Sequence, residues 1–197
     1  YIRLFYLNFY YIYIFYSFYL NAYPKKKRKI SSVYSIIFTI DAMNYQTILA
    51  KTPKPINVNI DGNDVEISSN SLYNIPTKGC IIKFTWDEMP SCSGLFKDYS
   101  PLLTIDLSGL DTSTITDMSQ MFSGCNKLKS IKFGDNFDTS NVQNMDYMFY
   151  NCFKLVSLDL KSFNTGKVVS MESMFNTAQS LLSLNLFYFD TSQVTNM

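Results

Sequence analysis

Histidine is absent from all 197 residues. Its absence removes Ser-His-Asp and Cys-His nucleophile pairs, the commonest general base and the usual zinc ligand. Glycine is scarce at seven residues, and none falls in a phosphate-cradling loop. The four cysteines, Cys80, Cys92, Cys125 and Cys152, include no Cys-x-x-Cys pair, so neither a zinc ribbon nor a thioredoxin-type site is indicated. No sign of charge dominates: 17 basic and 16 acidic residues leave +1, which points to no polyanionic partner. An enzyme would have to rely on carboxylates, lysines or thiols, and their spacing gives no support for that. The expectation is a protein with no catalytic residues, no cofactor and no bound metal.

The near-neutral total hides an asymmetry. Residues 1–30 carry Arg3, Lys25, Lys26, Lys27, Arg28 and Lys29 and no acid, whereas residues 95–197 carry seven lysines and ten acids. Hydrophobic content of 47% is enough for a buried core.

What is present is a repeat. Met-Phe recurs at Met121-Phe122, Met148-Phe149 and Met174-Phe175, with Leu95-Phe96 standing 26 residues before the first. These anchors divide the array into 95–120, 121–147, 148–173 and 174–197. Read in register, the columns include Leu102/Leu128/Leu155/Leu181, Ile105/Ile131/Leu158/Leu184 and Leu107/Phe133/Leu160/Leu186. Further along come Leu110/Phe137/Phe163/Phe189, Ile115/Val142/Val168/Val194 and Met118/Met145/Met171/Met197. Ile105-Asp106-Leu107 and Leu158-Asp159-Leu160 alternate with the period of a strand. After Asp111-Thr112-Ser113, Asp138-Thr139-Ser140 and their counterparts, the spacing changes. Val142, Met145, Met148, Phe149 and Cys152 then recur at three and four residues, as on one face of a helix. Asp111, Asp138 and Asp190 sit where helix N-caps are wanted. Each unit therefore predicts a strand, a turn and a helix, with neighbouring units stacking about 4.8 Å apart to bury a common core. The methionine column reads as packing, since methionine fills irregular gaps.

The strings MFSGCNKLKSIKFGDNFDTSNVQNM and MFYNCFKLVSLDLKSFNTGKVVSM resemble the bacterial surface-protein 26-residue repeat, a BspA-like leucine-rich repeat found in mycoplasmas, gut bacteria and protists. The resemblance covers residues 86–197, with IIKFTWDEMPSCSGLF similar to the lead-in of such arrays. Asn164-Thr165-Gly166 departs from the acidic triplet, and Tyr99 and Ala178 stand where Cys125 and Cys152 stand in their units. The resemblance implies a surface-displayed or secreted protein, often membrane- or lipid-anchored, that contacts a host, matrix or neighbouring-cell ligand.

The expected fold is thus an α/β leucine-rich-repeat-like solenoid of about four strand-turn-helix coils, preceded by a small β-rich cap over 55–94. There Ile56, Val58 and Ile60 alternate ahead of Asp61-Gly62, and Ile81 to Trp86 reads as a strand. Residues 25–54 read as a basic and polar linker. Residues 1–24 form an apolar aromatic segment, of which 1–23 is long enough to span a bilayer. Its many tyrosines keep two other readings open: translation starting as late as Met43, or a buried or interfacial segment. Pro24-Lys25-Lys26-Lys27-Arg28-Lys29 reads as a membrane flank or the n-region of a signal continuing through 33–40; taken alone it would be a nuclear import signal.

Cys125 and Cys152 share a column, which permits a disulfide by distance but with awkward parallel Cβ vectors, so a buried thiol pair is expected; pairing of Cys80 with Cys92 stays open. The outward strand rows define a candidate ligand face: Thr104, Asp106, Ser130, Lys132, Ser157, Asp159, Lys161, Asn185, Phe187 and Tyr188. Phe187 with Tyr188 is its one aromatic feature and a candidate hot spot. The mixed polar character argues against nucleic acid. The function expected is protein or cell-surface binding of the adhesion type at the cell surface or after secretion. An intracellular adaptor, cytoplasmic or nuclear, is the alternative. Since the last unit stops at Met197 without its full helix, the array is expected to be the start of a longer one.

Overall fold

Alternation begins earlier than the repeat. Along Tyr34–Ile40 the side chains of Ile36, Phe38 and Ile40 are buried, while Ile37 is exposed and Thr39 half-buried. This two-residue period makes strand β1. The computed structural model describes residues 33–47, 53–67, 72–87 and 89–197. The remaining strands are β2 (Asn44–Thr47), β3 (Asn57–Ile60), β4 (Asn63–Val65), β5 (Leu72–Ile75), β6 (Ile81–Trp86), β7 (Leu102–Gly109) and β8 (Ser130–Lys132). Six of them form one mixed sheet in the order β4-β3-β6-β1-β7-β8, and β2 with β5 forms a second, two-stranded one. Every pairing is antiparallel except β7 with β8, where the second coil lies parallel to the first.

β1 lies within the stretch that the composition assigns to a linker, and the structure corrects that reading. Three buried apolar side chains outweigh the polar residues around them, and β1 joins the preceding strands to the repeats by pairing with both β6 and β7. The β3–β4 turn at Asp61-Gly62 has both φ angles positive, at 50° and 84°, as the tight two-residue hairpin requires. Trp86 is wholly buried, and its indole N–H donates to the Pro53 carbonyl at 2.8 Å.

The expected α/β solenoid with helices is overturned: the described residues contain no helix. Where a helix was expected, each coil makes consecutive tight turns whose N–H groups point alternately in two directions. In the second coil Met121, Ser123 and Cys125 donate three residues back, to the carbonyls of Met118, Gln120 and Phe122. The alternating Gln120, Phe122 and Gly124 donate across to Asp146, Met148 and Tyr150, each one repeat further on, at 2.8 to 3.0 Å. The pattern recurs from Gly94, Phe96 and Asp98 to Ser119, Met121 and Ser123, and from Tyr147, Phe149 and Asn151 to Glu172, Met174 and Asn176. Two left-handed residues per coil set the turns, in the columns Gly94/Gln120/Tyr147/Ser173 and Asp98/Gly124/Asn151/Thr177. A right-handed helix cannot pass through such residues. Turns of this kind still return a side chain to the core every three or four positions, so the apolar spacing imitates a helix.

The aspartates are corrected with it. Asp111, Asp138 and Asp190 cap no helix; each accepts through Oδ1 from the N–H two residues on, of Ser113, Ser140 and Ser192, at 2.8 to 3.0 Å. Thr112 and Thr139, after the first two aspartates, and Thr165, after Asn164, are buried, and each hydroxyl donates to a carbonyl one coil on: Asp138, Asn164 and Asp190.

Apolar columns stack as the repeat demands. Phe96, Phe122, Phe149 and Phe175 lie face to face, ring centroids 5.6 to 5.8 Å apart and planes within 9°. Phe38 of β1 meets the first of these rings edge-on at 5.7 Å, joining the ladder to Phe84 and Trp86. All four cysteines are free and buried. Those of the shared column donate to carbonyls of the preceding coil, Cys125 to Phe96 and Cys152 to Phe122.

Strands were expected in all four coils, and only the first two have them. The second coil has three residues between Phe133 and Phe137 where the first has two between Leu107 and Leu110. The same turn closes each coil, at Leu110, Phe137, Phe163 and Phe189, so the extra residue falls between β8 and the turn over 134–137. In the third coil Leu158 and Leu160 are still buried with Asp159 exposed between them, so the alternation persists without a ladder. No helix among the described residues is long and apolar enough to cross a membrane. The apolar segment at 1–23 and the basic cluster at 24–29 lie outside those residues.

Candidate functional site

The outward face of the six-stranded sheet is built by registers that cross from the preceding segment into the repeats. One row runs Ile81, Thr39, Thr104, Ser130; the next runs Asn59, Lys83, Ile37, Asp106, Lys132. The buried side chains of each strand, Ile36 and Phe38 or Ile82 and Phe84, hold these residues outward. Between the rows lies a shallow concavity of about 440 Å³, bordered by Ile37, Thr39, Ile81, Thr104, Ser130 and Lys132.

Its polar groups are mostly matched to one another. The Thr39 and Thr104 hydroxyls share a hydrogen bond at 2.8 Å. The Lys132 ammonium donates to Asp106 at 2.8 Å, and the Ser108 backbone N–H donates to the other carboxylate oxygen at 2.8 Å. Partial burial pushes the Asp106 carboxyl up, but these hydrogen bonds outweigh it and hold the group below the usual carboxylate range. The pair is therefore charged and mutually neutralised at pH 7. Exposed Ile37 and Ile81 supply the apolar part of the floor.

Of the residues expected to line a ligand face, the structure brings Thr104, Asp106, Ser130 and Lys132 together on adjacent strands. Ser157, Asp159, Lys161, Asn185, Phe187 and Tyr188 are all exposed, but the third and fourth coils contribute no strand to the sheet. Asp159 is held below the usual carboxylate range by the Lys161 backbone N–H and then by its ammonium, 3.1 Å away. Phe187 and Tyr188 stand well out, 81% and 61% exposed, with their rings perpendicular and centroids 5.2 Å apart. Ile37, Thr39, Ile81 and Lys83 complete the face and escape a reading of the repeats alone. Their signal was the alternation in 34–40 and 81–86.

Close approach marks the rim. A Cβ on Gly134 would stand 2.4 Å from the Ser108 Cα, and one on Gly109 would stand 2.6 Å from the Ser35 carbonyl oxygen, so glycine is required at both. Among the described residues no group of three or more Cys, Asp or Glu is placed to hold a metal ion. Burial pushes the Cys92 and Cys152 thiols up to about 12, away from nucleophilic use near neutrality.

A family model described as Mycoplasma protein of unknown function, DUF285, matches residues 90–197. No curated protein and no solved structure matches the chain.

Proposed function

The chain belongs to the DUF285 family of Mycoplasma proteins, and from that premise we propose a non-enzymatic binding protein of the adhesion type that presents its sheet face to a protein or cell-surface ligand. Display at the cell surface or secretion is part of the proposal. The observation that carries it is the continuity of the outward rows from β3 to β8, which gives one broad face of alternating hydroxyl, charged and apolar side chains. Stacked repeats commonly present such faces to ligands, and β7 and β8 extend this sheet into the array. Its centre combines the apolar pair Ile37 and Ile81 with the hydroxyls of Thr104 and Ser130, the mixture typical of recognition surfaces.

The test is retention of cultured eukaryotic cells, or of extracellular matrix, by the immobilised full chain. Ser130→Arg with Lys132→Ala should lower retention about tenfold and leave the unfolding temperature unchanged, because both side chains are exposed. Retention unaltered by that double substitution would remove the face from the reading. Protease added to intact producing cells should cut the repeats; complete protection would remove surface display.

A further inference from the structure

The third and fourth coils hold out different chemistry at equivalent positions. Where the third has Asp159 and Lys161, closed on each other at 3.1 Å, the fourth has Asn185 and Phe187, followed by Tyr188. The stretch 181–189 carries no charge at all. The Phe187 N–H donates to Asn185 Oδ1 at 2.9 Å, which anchors the amide at the Phe187 backbone. The amide nitrogen has no partner among the described residues. The perpendicular rings of Phe187 and Tyr188 make an aromatic corner on the turn that follows that donor. At the equivalent positions of the third coil, which has coils on both sides, Lys161 and Ser162 are exposed as well.

We propose that Asn185, Phe187 and Tyr188 form a subsite for a neutral glycan, an assignment that goes beyond the sheet-face reading above, since the fourth coil adds no strand to that sheet. A pyranose has an apolar face of C–H bonds, which stacks on an aromatic ring, and equatorial hydroxyls, which accept from an amide N–H. Being uncharged, it needs no counter-ion from a stretch that has none. A protein partner of ordinary size would cover about 800 Å², whereas at these two positions the neighbouring coil offers only a closed ion pair.

The test uses the full chain against cellohexaose, chitohexaose, maltohexaose and a sulfated heparin hexasaccharide, read by calorimetric titration. Asn185→Asp and Phe187→Lys are the variants. Both install what the third coil already carries, and Asp159 shows that aspartate makes the same turn, accepting from the Lys161 N–H at 3.2 Å. At least one neutral hexasaccharide should bind, and each substitution should weaken it about tenfold or more with unfolding unchanged. Binding of none of the neutral sugars, binding of heparin alone, or full binding by Phe187→Lys overturns the assignment. Cell retention measured in parallel separates the two readings. Cells retained with no sugar bound leaves the adhesion reading standing and this one fallen; sugar bound with no cells retained does the reverse. Retention through Phe187 that no neutral sugar competes away assigns the corner to a protein partner.

Discussion

Thr139 and Thr165 each satisfy two backbone groups of the next coil with one buried hydroxyl. Thr139 donates to the Asn164 carbonyl at 2.9 Å and accepts from the Asn164 N–H at 2.7 Å; Thr165 does the same with Asp190. Thr139→Val keeps the shape and leaves both groups unpaired, so a loss of about 1–3 kcal/mol is expected from urea denaturation. Thr191→Val, at an exposed position in the same column, should cost close to nothing. At Gly134 the Ser108 Cα stands where a methyl would go, and Gly134→Ala should cost about 1–3 kcal/mol in the same assay. The thiols set a pH limit. Burial raises Cys92 and Cys152 from an ordinary value of 9.0 to about 12 and raises Cys125 as well. The unfolded chain therefore releases thiol protons at lower pH than the folded one. The stabilisation is fully present below about pH 9 and is lost as pH rises from there toward 12. The urea midpoint should fall over that interval, and a maleimide should leave these thiols unmodified at pH 8 until the chain unfolds.

The turns that replace the expected helices show what a linear pattern conveys and what it leaves out. Val142, Met145, Met148, Phe149 and Cys152 were legible as core, and all five are buried. The backbone that carries them was not, because three- and four-residue spacing serves a helix and a series of tight turns equally well. The distinguishing signal is the pair of left-handed columns, but only Gly94 and Gly124 announce it. Gln120, Tyr147, Ser173, Asp98, Asn151 and Thr177 take the same conformation without the residue type that would reveal it. Strand pairing was equally indirect: the outward rows could be read in each unit, but the extra residue between Phe133 and Phe137 coincides with the end of the ladder. Hydrogen exchange should display this division. The N–H groups of Gln120, Phe122, Tyr147 and Phe149, bonded across coils, should exchange far more slowly than those of 157–159. Equal rates in the two sets would contradict the cross-coil ladder.

For the whole molecule, the repeat itself was plain in the sequence, since its columns recur at 26 or 27 residues and the structure stacks them in register. The preceding strands were less so. Tyr34–Ile40 reads as polar linker when composition is averaged, yet it is the strand that carries the sheet from β6 into the array. Four of the candidate face residues gather there because β7 and β8 pair; the other six depend on coils whose strand side makes no ladder. Lys127 of the second coil also reaches Asp41, 2.8 Å away, which ties the array to the segment after β1. That pair is solvent-exposed, so its removal should change stability little.

The cross-coil bonds have a mechanical consequence. They run along the stack while the chain winds around it, so a load applied between the two ends of the repeats opens one coil boundary before it strains the next. The array should yield coil by coil, each event releasing a loop of about 26 residues and lengthening the tether by roughly 90 Å at full extension. A molecule that holds a ligand under flow would then shed tension in increments while the boundaries still intact keep their shape, and force spectroscopy should record a staircase and not a single rupture.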